Sequence, residues 1–162
     1  LAIEFNPASI CLVPEKREEI TTEGGLDIQS NFENLNYIVQ KISKTDIKLG
    51  CFIDPDFKQI NLLKDLKINT IEFHTGQYAL AKVNKDIFFY INQLKEATEY
   101  ASDLGFNCHA GHGLNFENVS KIAAIEQIQE LNIGHFLIGE SIFYGLENVI
   151  TKMKTIVDMA RK

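Results

Sequence analysis

Short, almost continuously apolar segments alternate along this chain with longer segments in which apolar residues recur every three or four positions. The short segments are typical of strands buried in a parallel sheet, and the longer ones are typical of amphipathic helices. The strict alternation of strand and helix predicts an α/β fold whose parallel sheet is covered by helices on both faces. The predicted strands are residues 10–13, 47–53, 69–73, 106–110 and 132–138.

Local signals predict where the helices begin and end. Ser30 with Glu33 matches a capping box, which marks the start of a helix. Asp54 followed by Pro55 fits a cap and a first helical residue, and Gly105 fits a helix stop. The remaining helices are predicted near residues 119–125 and over residues 146–157.

Two architectures fit this order of elements. An open, doubly wound sheet could be complete in 162 residues, whereas an eight-stranded barrel typically needs about 250. The sequence begins at Leu1, within an apolar stretch that has no helix cap, and this favours a (β/α)8 TIM barrel whose first strands precede it. We therefore expect residues 1–162 to form a single domain that is the C-terminal two-thirds of such a barrel.

Composition limits the classes of partner. The formal net charge is −6 and no segment is rich in lysine and arginine, so nucleic acid is not an expected partner. No apolar run reaches the roughly 18 residues of a membrane span. Cys11, Cys51 and Cys108 are far apart and lie in apolar segments, so we expect buried thiols in a reducing, cytoplasmic compartment.

Glu72 and His74 are the first candidates for chemistry. They stand two residues apart on a predicted strand and therefore share one face of the sheet. A carboxylate beside an imidazole suits proton transfer or the stabilisation of charge. The alternative is a purely structural buried pair.

The segment H-A-G-H-G contains two further histidines where a strand is predicted to end. His112 has glycine on both sides and is a candidate general acid or base, although a solvent-facing turn histidine is the alternative. His109 either lines the site or only fills the top of the barrel. A metal site built from these histidines with His74 and Glu72 is a minor alternative, since no known metal-ligand spacing supports it.

Glycine residues lie on or after the last two predicted strands. Gly111 and Gly113 flank His112 after the fourth strand, and Gly134 precedes His135 on the last strand. The loops after the final two strands of a barrel commonly bind phosphate, so Gly113, Gly134 and His135 are candidates for that role. Taken alone, each pair also fits an ordinary tight turn.

The polar segment at residues 15–27 is too long for a simple connection. It contains Thr21 and a Gly24-Gly25 pair, and it could close over a charged substrate as a lid. A solvated charged loop is the alternative.

Several long motifs in this chain resemble the pyridoxine 5'-phosphate synthase family, and together they cover almost all of the sequence. The first and last are long enough to be highly specific. The motifs are L-V-P-E-K-R-E-E-I-T-T-E-G-G-L-D at 12–27, F-I-D-P-D at 52–56, I-E-F-H-T-G-Q-Y-A at 71–79, A-G-H-G-L at 110–114 and E-L-N-I-G-H-F-L-I-G at 130–139.

The resemblance implies a (β/α)8 barrel enzyme of vitamin B6 biosynthesis, a transferase. It condenses 1-deoxy-D-xylulose 5-phosphate with 3-amino-2-oxopropyl phosphate to pyridoxine 5'-phosphate, releases inorganic phosphate and water, and uses no metal or organic cofactor. Such enzymes form homo-oligomers, and the resemblance implies an octamer. It also implies that the five predicted strands are strands four to eight, and that the first three, with two proton acceptors, are missing from this sequence.

The resemblance also implies roles for single residues. His112 corresponds to the proton donor, Glu72 to the carboxylate that stabilises the transition state, and Thr21 to a lid residue that binds deoxyxylulose phosphate. Gly113, Gly134 and His135 correspond to contacts with the phosphate of the aminoketone. His109 stands where the family commonly has asparagine.

Two other functions remain open at this stage. One is a different barrel isomerase or aldolase that acts on a phosphosugar. The other is a non-catalytic module that binds a phosphorylated metabolite, if the protein is truly this short.

Overall fold

The computed structural model describes residues 2–14 and 24–162, and these ranges form one parallel sheet with helices packed against it. Strands and helices alternate as predicted from the sequence, except that two consecutive helices follow the third strand and two follow the fifth. In chain order the elements are α1 (Ala2–Phe5), β1 (Ser9–Leu12), α2 (Ile28–Ile42), β2 (Lys48–Ile53), α3 (Phe57–Asp65), β3 (Thr70–His74), α4 (Gly76–Leu80), α5 (Asn84–Asp103), β4 (Asn107–Gly111), α6 (Val119–Ala123), β5 (Ile128–Asn132), α7 (His135–Tyr144) and α8 (Leu146–Ala160).

The five strands lie in the sheet in the order in which they occur along the chain, β1-β2-β3-β4-β5, and every pair is parallel. A doubly wound sheet reverses its strand order at a switch point. The described sheet has no such reversal, so the open doubly wound alternative is wrong for this part of the chain. The α/β class with a parallel sheet is confirmed.

The two faces of the sheet differ in chemistry. Side chains such as Ile53, Ile71 and Phe73 are fully buried in a core that they share with the helices. On the opposite face, Thr70, Glu72 and their neighbours line open cavities. The prediction that helices cover both faces is therefore wrong for the described residues, since the second face carries polar groups that helix packing would leave unsatisfied.

Two predicted helix caps are displaced along the chain. Helix α2 is capped by Asp27, whose side chain accepts a hydrogen bond from the Gln29 backbone N–H at 3.1 Å, and not by Ser30. Gln59 of α3 fixes this early start, because its side chain accepts from the Ile28 N–H at 2.8 Å. The capping box of Ser30 with Glu33 was a misleading match inside the helix.

The start of α3 differs in the same way. Asp56, with an extended backbone, is the cap, and its carboxylate accepts from the Gln59 N–H at 3.0 Å. Asp54 was predicted for this role and instead bonds to His74. The cap therefore lies after the proline.

The predicted last strand over residues 132–138 is wrong. Strand β5 ends at Asn132, and the apolar residues that follow belong to α7. Gly134 turns the chain, and its carbonyl accepts a hydrogen bond from the Ile138 N–H at 3.0 Å. A short apolar run has no periodicity that separates a strand from a helix, which explains the error.

Further boundaries follow from glycine. Gly105 has φ of +89° directly after α5, as expected of a helix stop, and Gly145 has φ of +80° between α7 and α8. Cys51 and Cys108 are buried as predicted, whereas Cys11 is exposed on the edge strand β1, so that prediction is wrong for Cys11. Within the described ranges, no helix combines the length and apolar character needed to cross a bilayer.

Candidate active site

A cavity of about 510 Å³ lies on the polar side of the sheet, near the C-terminal ends of β3, β4 and β5. Parallel α/β folds bind ligands at this edge, because the loops there present side chains and free backbone groups. The cavity brings together most of the predicted site residues: Glu72, His112, Gly113, Gly134 and His135.

Glu72 enters the cavity from the middle of β3. Burial raises the pKa of this carboxyl, and the negative charge of Glu130 adds to the increase. Hydrogen bonds from the Asn132 side chain and from the Cys11 thiol, whose sulfur lies 3.9 Å from Oε2, act in the opposite direction. A carboxyl held in this way can keep a proton at higher pH than an exposed one, which suits acid–base work.

The absence of a side chain at Gly111 leaves room for the Glu72 carboxylate. A Cβ atom at residue 111 would overlap Glu72 Oε1, and it would lie 2.9 Å from the Asn132 carbonyl oxygen. The strands therefore approach closely at this point only because residue 111 has no side chain.

His112 follows β4 with φ of +81°, in the left-handed region that few non-glycine residues adopt. Thr75 holds this turn in place. Its hydroxyl is shared between the carbonyl oxygens of Gly111, at 2.7 Å, and His112, at 2.6 Å, and its backbone N–H donates to the Gly111 carbonyl at 2.9 Å. Strain of this kind persists only where the surroundings impose it, and it is common at functional sites.

The environment of the His112 ring disfavours its charged form. Burial lowers the pKa of His112, and positive charge on His74 and His135 lowers it further. The His74 and His112 rings pack edge to face with centroids 4.9 Å apart, and the Phe52 ring packs against both, at 5.1 Å from His74 and 6.4 Å from His112. An imidazolium with a lowered pKa gives up its proton more readily, which suits a proton donor.

The opposite wall can accept an anion. Gly134 precedes α7, and among residues 2–14 and 24–162 no side chain caps the start of this helix. A Cβ at Gly134 would meet no heavy atom of these residues within 4 Å, so they leave the space in front of the helix open. Gly113, with φ of +75°, lies on the same cavity, and free N–H groups at a helix start attract phosphate.

The structure separates the other predicted residues from this cavity. His74, the last residue of β3, lies behind His112 and lines a smaller cavity of about 300 Å³. His109 lies in the middle of β4, beside a cavity of about 580 Å³ lower on the polar face, and its Nδ1 is 3.7 Å from Glu130. Strand β4 continues to Gly111, so the prediction that a strand ends at His109 is wrong. His135, which was predicted to lie on a strand, begins α7, and Thr21 lies outside the described residues.

Sequence reasoning missed three residues that support the site. Asn132 bonds to Glu72, Thr75 fastens the His112 turn, and Asp54 pairs with His74. All three lie within the family motifs at 130–139, 71–79 and 52–56, so membership of those motifs was a usable signal. Asp54 was instead assigned to a helix cap, because Asp-Pro also fits that role.

A metal site was a minor alternative prediction for these histidines and Glu72. Across residues 2–14 and 24–162, no three or more histidine, cysteine, aspartate or glutamate side chains are grouped so that they could hold a metal ion.

Comparisons with known proteins agree on one family. The family model described as pyridoxal phosphate biosynthesis protein PdxJ matches residues 1–159. Pyridoxine 5'-phosphate synthase of Zymomonas mobilis subsp. mobilis is 48% identical over 161 residues, which are 99% of this chain and 62% of that protein. The enzymes of the same name from a Sulfurihydrogenibium species and from Ehrlichia canis are 44% and 43% identical, over 100% and 97% of this chain and 66% and 64% of those proteins. The chain thus spans slightly less than two-thirds of the length of these relatives.

Proposed function

This chain belongs to the pyridoxal phosphate biosynthesis protein PdxJ family, and from that premise we propose that it is the C-terminal part of a pyridoxine 5'-phosphate synthase. The reaction is the condensation of 1-deoxy-D-xylulose 5-phosphate with 3-amino-2-oxopropyl phosphate, with release of inorganic phosphate and water. The observation that carries the proposal is the single cavity shared by Glu72, His112, Gly113, Gly134 and His135.

The proposed architecture is a (β/α)8 barrel in which β1 to β5 are strands four to eight of one domain. Three features support it: the sequential parallel order of the strands, the polar face opposite the helices, and the greater length of the relatives. In a closed barrel, β1 and β5 would each gain a second neighbour, and the polar face would become the barrel interior.

His112 is proposed as the proton donor. The amine of the aminoketone attacks the ketone of deoxyxylulose phosphate, and water can leave only when its oxygen receives a proton. An imidazolium next to the cavity can deliver that proton, and the lowered pKa of His112 favours the transfer. The strained backbone at φ of +81° keeps the ring at the cavity.

Glu72 is proposed to stabilise positive charge that develops as the amine reacts. Its carboxylate stands in a partly buried position, where an electrostatic interaction is stronger than in water. The hydrogen bond from Asn132 keeps this carboxylate pointed at the cavity.

Gly113, Gly134 and His135 are proposed to bind the phosphate of the aminoketone. The start of α7 contributes a positive dipole end and free N–H groups, and neither requires a basic side chain. This arrangement suits a chain whose formal net charge is −6.

Other parts of the proposal rest on the family alone. Thr21 is proposed to bind deoxyxylulose phosphate from a lid, His74 and His109 to line or support the site, and the native enzyme to be a homo-oligomer. A cytoplasmic location is proposed, and three free cysteines agree with a reducing compartment.

The test uses the native full-length polypeptide and both substrates. We expect pyridoxine 5'-phosphate, identified by mass, together with one inorganic phosphate per molecule of product. Omission of either substrate should abolish both signals. Conversion of one phosphosugar alone would support an isomerase or aldolase instead, and ligand-induced thermal stabilisation without consumption would support a binding module.

A further inference from the structure

Behind the proposed proton donor lies a carboxylate–imidazole pair that the reaction as described does not use. Nδ1 of His74 is 2.8 Å from Oδ1 of Asp54. The His74 side chain is 2% exposed and the Asp54 side chain is 54% exposed. The pair therefore connects solvent with the interior of the site, and the bond to His74 lowers the pKa of Asp54.

The other nitrogen of the same ring is unpaired. In the described part of the chain, Nε2 of His74 is the one buried side-chain nitrogen or oxygen without a hydrogen-bond partner. Such atoms are costly to bury, and they are rare in folded proteins. Because Asp54 accepts from Nδ1–H, a neutral His74 presents an acceptor lone pair at Nε2.

The unpaired atom lies beside His112. The two rings pack edge to face at 4.9 Å between centroids. At Gly76 a Cβ atom would overlap His74 Nε2 and would lie 3.2 Å from Cδ2 of His112, so the absence of a side chain leaves room for both rings.

We propose that Asp54 and His74 are positioning residues for His112: the Asp54 carboxylate holds His74 in one orientation, and the His74 ring fixes the orientation and charge state of the His112 ring at the cavity. This inference rests on the proposed function of His112 as proton donor. It adds two residues that act through His112 without contact to substrate.

The arrangement has a physical consequence for His112. The titratable groups around it are His74 from β3 with Asp54 behind it, His135 from α7, and Glu72 across the cavity. Positive charge on His74 lowers the pKa of His112, and the Asp54 carboxylate holds the His74 ring in its position beside His112. Loss of the Asp54 carboxylate should therefore shift the pKa of His112.

The decisive variant is Asp54→Asn in the native full-length enzyme, with Asp56→Asn as the matched control. Asp56 caps α3 two positions away, so its change alters a helix cap and leaves the pair intact. For Asp54→Asn we expect kcat to fall by about 10–100-fold, as for other residues that orient a histidine, with KM unchanged. The pH at which kcat falls through His112 deprotonation should shift, whereas Asp56→Asn should retain the wild-type profile.

A second readout is independent of turnover. Diethyl pyrocarbonate acylates neutral imidazole, and peptide mass spectrometry gives the rate at His112 as a function of pH. The midpoint of this rate should shift in Asp54→Asn and stay constant in Asp56→Asn. If the wild type forms no pyridoxine 5'-phosphate, the proposed function fails, yet this measurement still tests the coupling of Asp54, His74 and His112.

Wild-type kcat together with an unchanged acylation midpoint in Asp54→Asn would overturn the inference. If Asp54→Asn does not fold, His74→Asn decides, because asparagine retains an N–H for Asp54 and removes the ring from His112. A fall in kcat at constant KM would support the inference, and wild-type kcat would overturn it.

Discussion

The close approach of β3, β4 and β5 at Gly111 gives the most demanding prediction. In Gly111→Ala, the new methyl group would overlap Oε1 of Glu72 and would lie 2.9 Å and 3.0 Å from the carbonyl oxygen and the Cβ of Asn132. The carboxylate can rotate away, but the Asn132 backbone is held in the ladder opposite residue 111. Relief therefore requires both a displaced Glu72 and a shifted strand.

Overpacking of this kind costs about 1–3 kcal/mol. Since 1 kcal/mol shifts the Tm of a protein of this size range by about 2–4 °C, we expect a Tm lower by about 2–12 °C. The displaced carboxylate should also lower kcat, because Glu72 would no longer face the reacting atoms. Both quantities are to be measured on the native full-length enzyme at a fixed protomer concentration, since association affects Tm.

Gly139→Ala is the matched control for this change. Gly139 lies within α7, and a Cβ there would meet no heavy atom of the described part of the chain within 4 Å. Alanine in place of glycine inside a helix stabilises it by up to about 1 kcal/mol, so Tm should stay constant or rise while kcat is retained. Equal Tm and kcat values for Gly111→Ala and Gly139→Ala would refute the packing of Glu72 against β4.

Four further predictions concern the site and the helix caps. In His112→Asn, kcat should fall by about 10²–10⁴-fold with Tm unchanged, because asparagine tolerates positive φ; full turnover would exclude His112 as proton donor. In Glu72→Gln, kcat should also fall. The folded-state pKa of Glu72 is raised, so the stability that Glu72 contributes is present at acid pH and is lost as the pH rises through that pKa. The Glu72→Gln variant should therefore have a higher Tm than the wild type at neutral pH but not at acid pH. A Tm difference that does not depend on pH would contradict this. Thr21→Ala should raise the KM for 1-deoxy-D-xylulose 5-phosphate, and an unchanged KM would remove the lid from the site. Asp27→Ala should lower the free energy of unfolding by about 0.5–2 kcal/mol, as measured by denaturant titration, whereas Glu33→Ala should not; equal losses would refute the cap at Asp27.

The regular elements could be predicted from sequence because their signals are local. Strand β2 is apolar on nearly every residue, and α2 places Leu35 and Ile42 on the core side as its periodicity predicts. Even Glu72 and His74 follow from a period of two along β3. Each of these inferences needs only the few residues around it.

The wrong predictions concern positions where residues distant in sequence determine the local structure. Residues 133–138 are mostly apolar in sequence. Ile138 is nevertheless 62% exposed on α7, so the apolar character of this segment did not indicate burial in the sheet. The start of α2 depends on Gln59, which lies 31 residues after Ile28. No local pattern contains that information.

The same reason explains which site residues were missed. Asp54 and His74 are 20 residues apart in sequence, and Thr75 donates a hydrogen bond to the carbonyl of His112, which is 37 residues further along the chain. These contacts exist because β2, β3 and β4 are neighbours in the sheet. The reacting groups could be recognised from motifs, whereas the residues that orient them required the strand order.

The most direct test of the proposed synthase site is a crystal structure of the native full-length enzyme with pyridoxine 5'-phosphate bound. We expect the product in the cavity between Glu72 and His112, with its phosphate within about 3 Å of backbone N–H groups at Gly113 and His135. Product bound elsewhere, for example in the cavity lined by Tyr78 and Gln93, would contradict the assignment of this site.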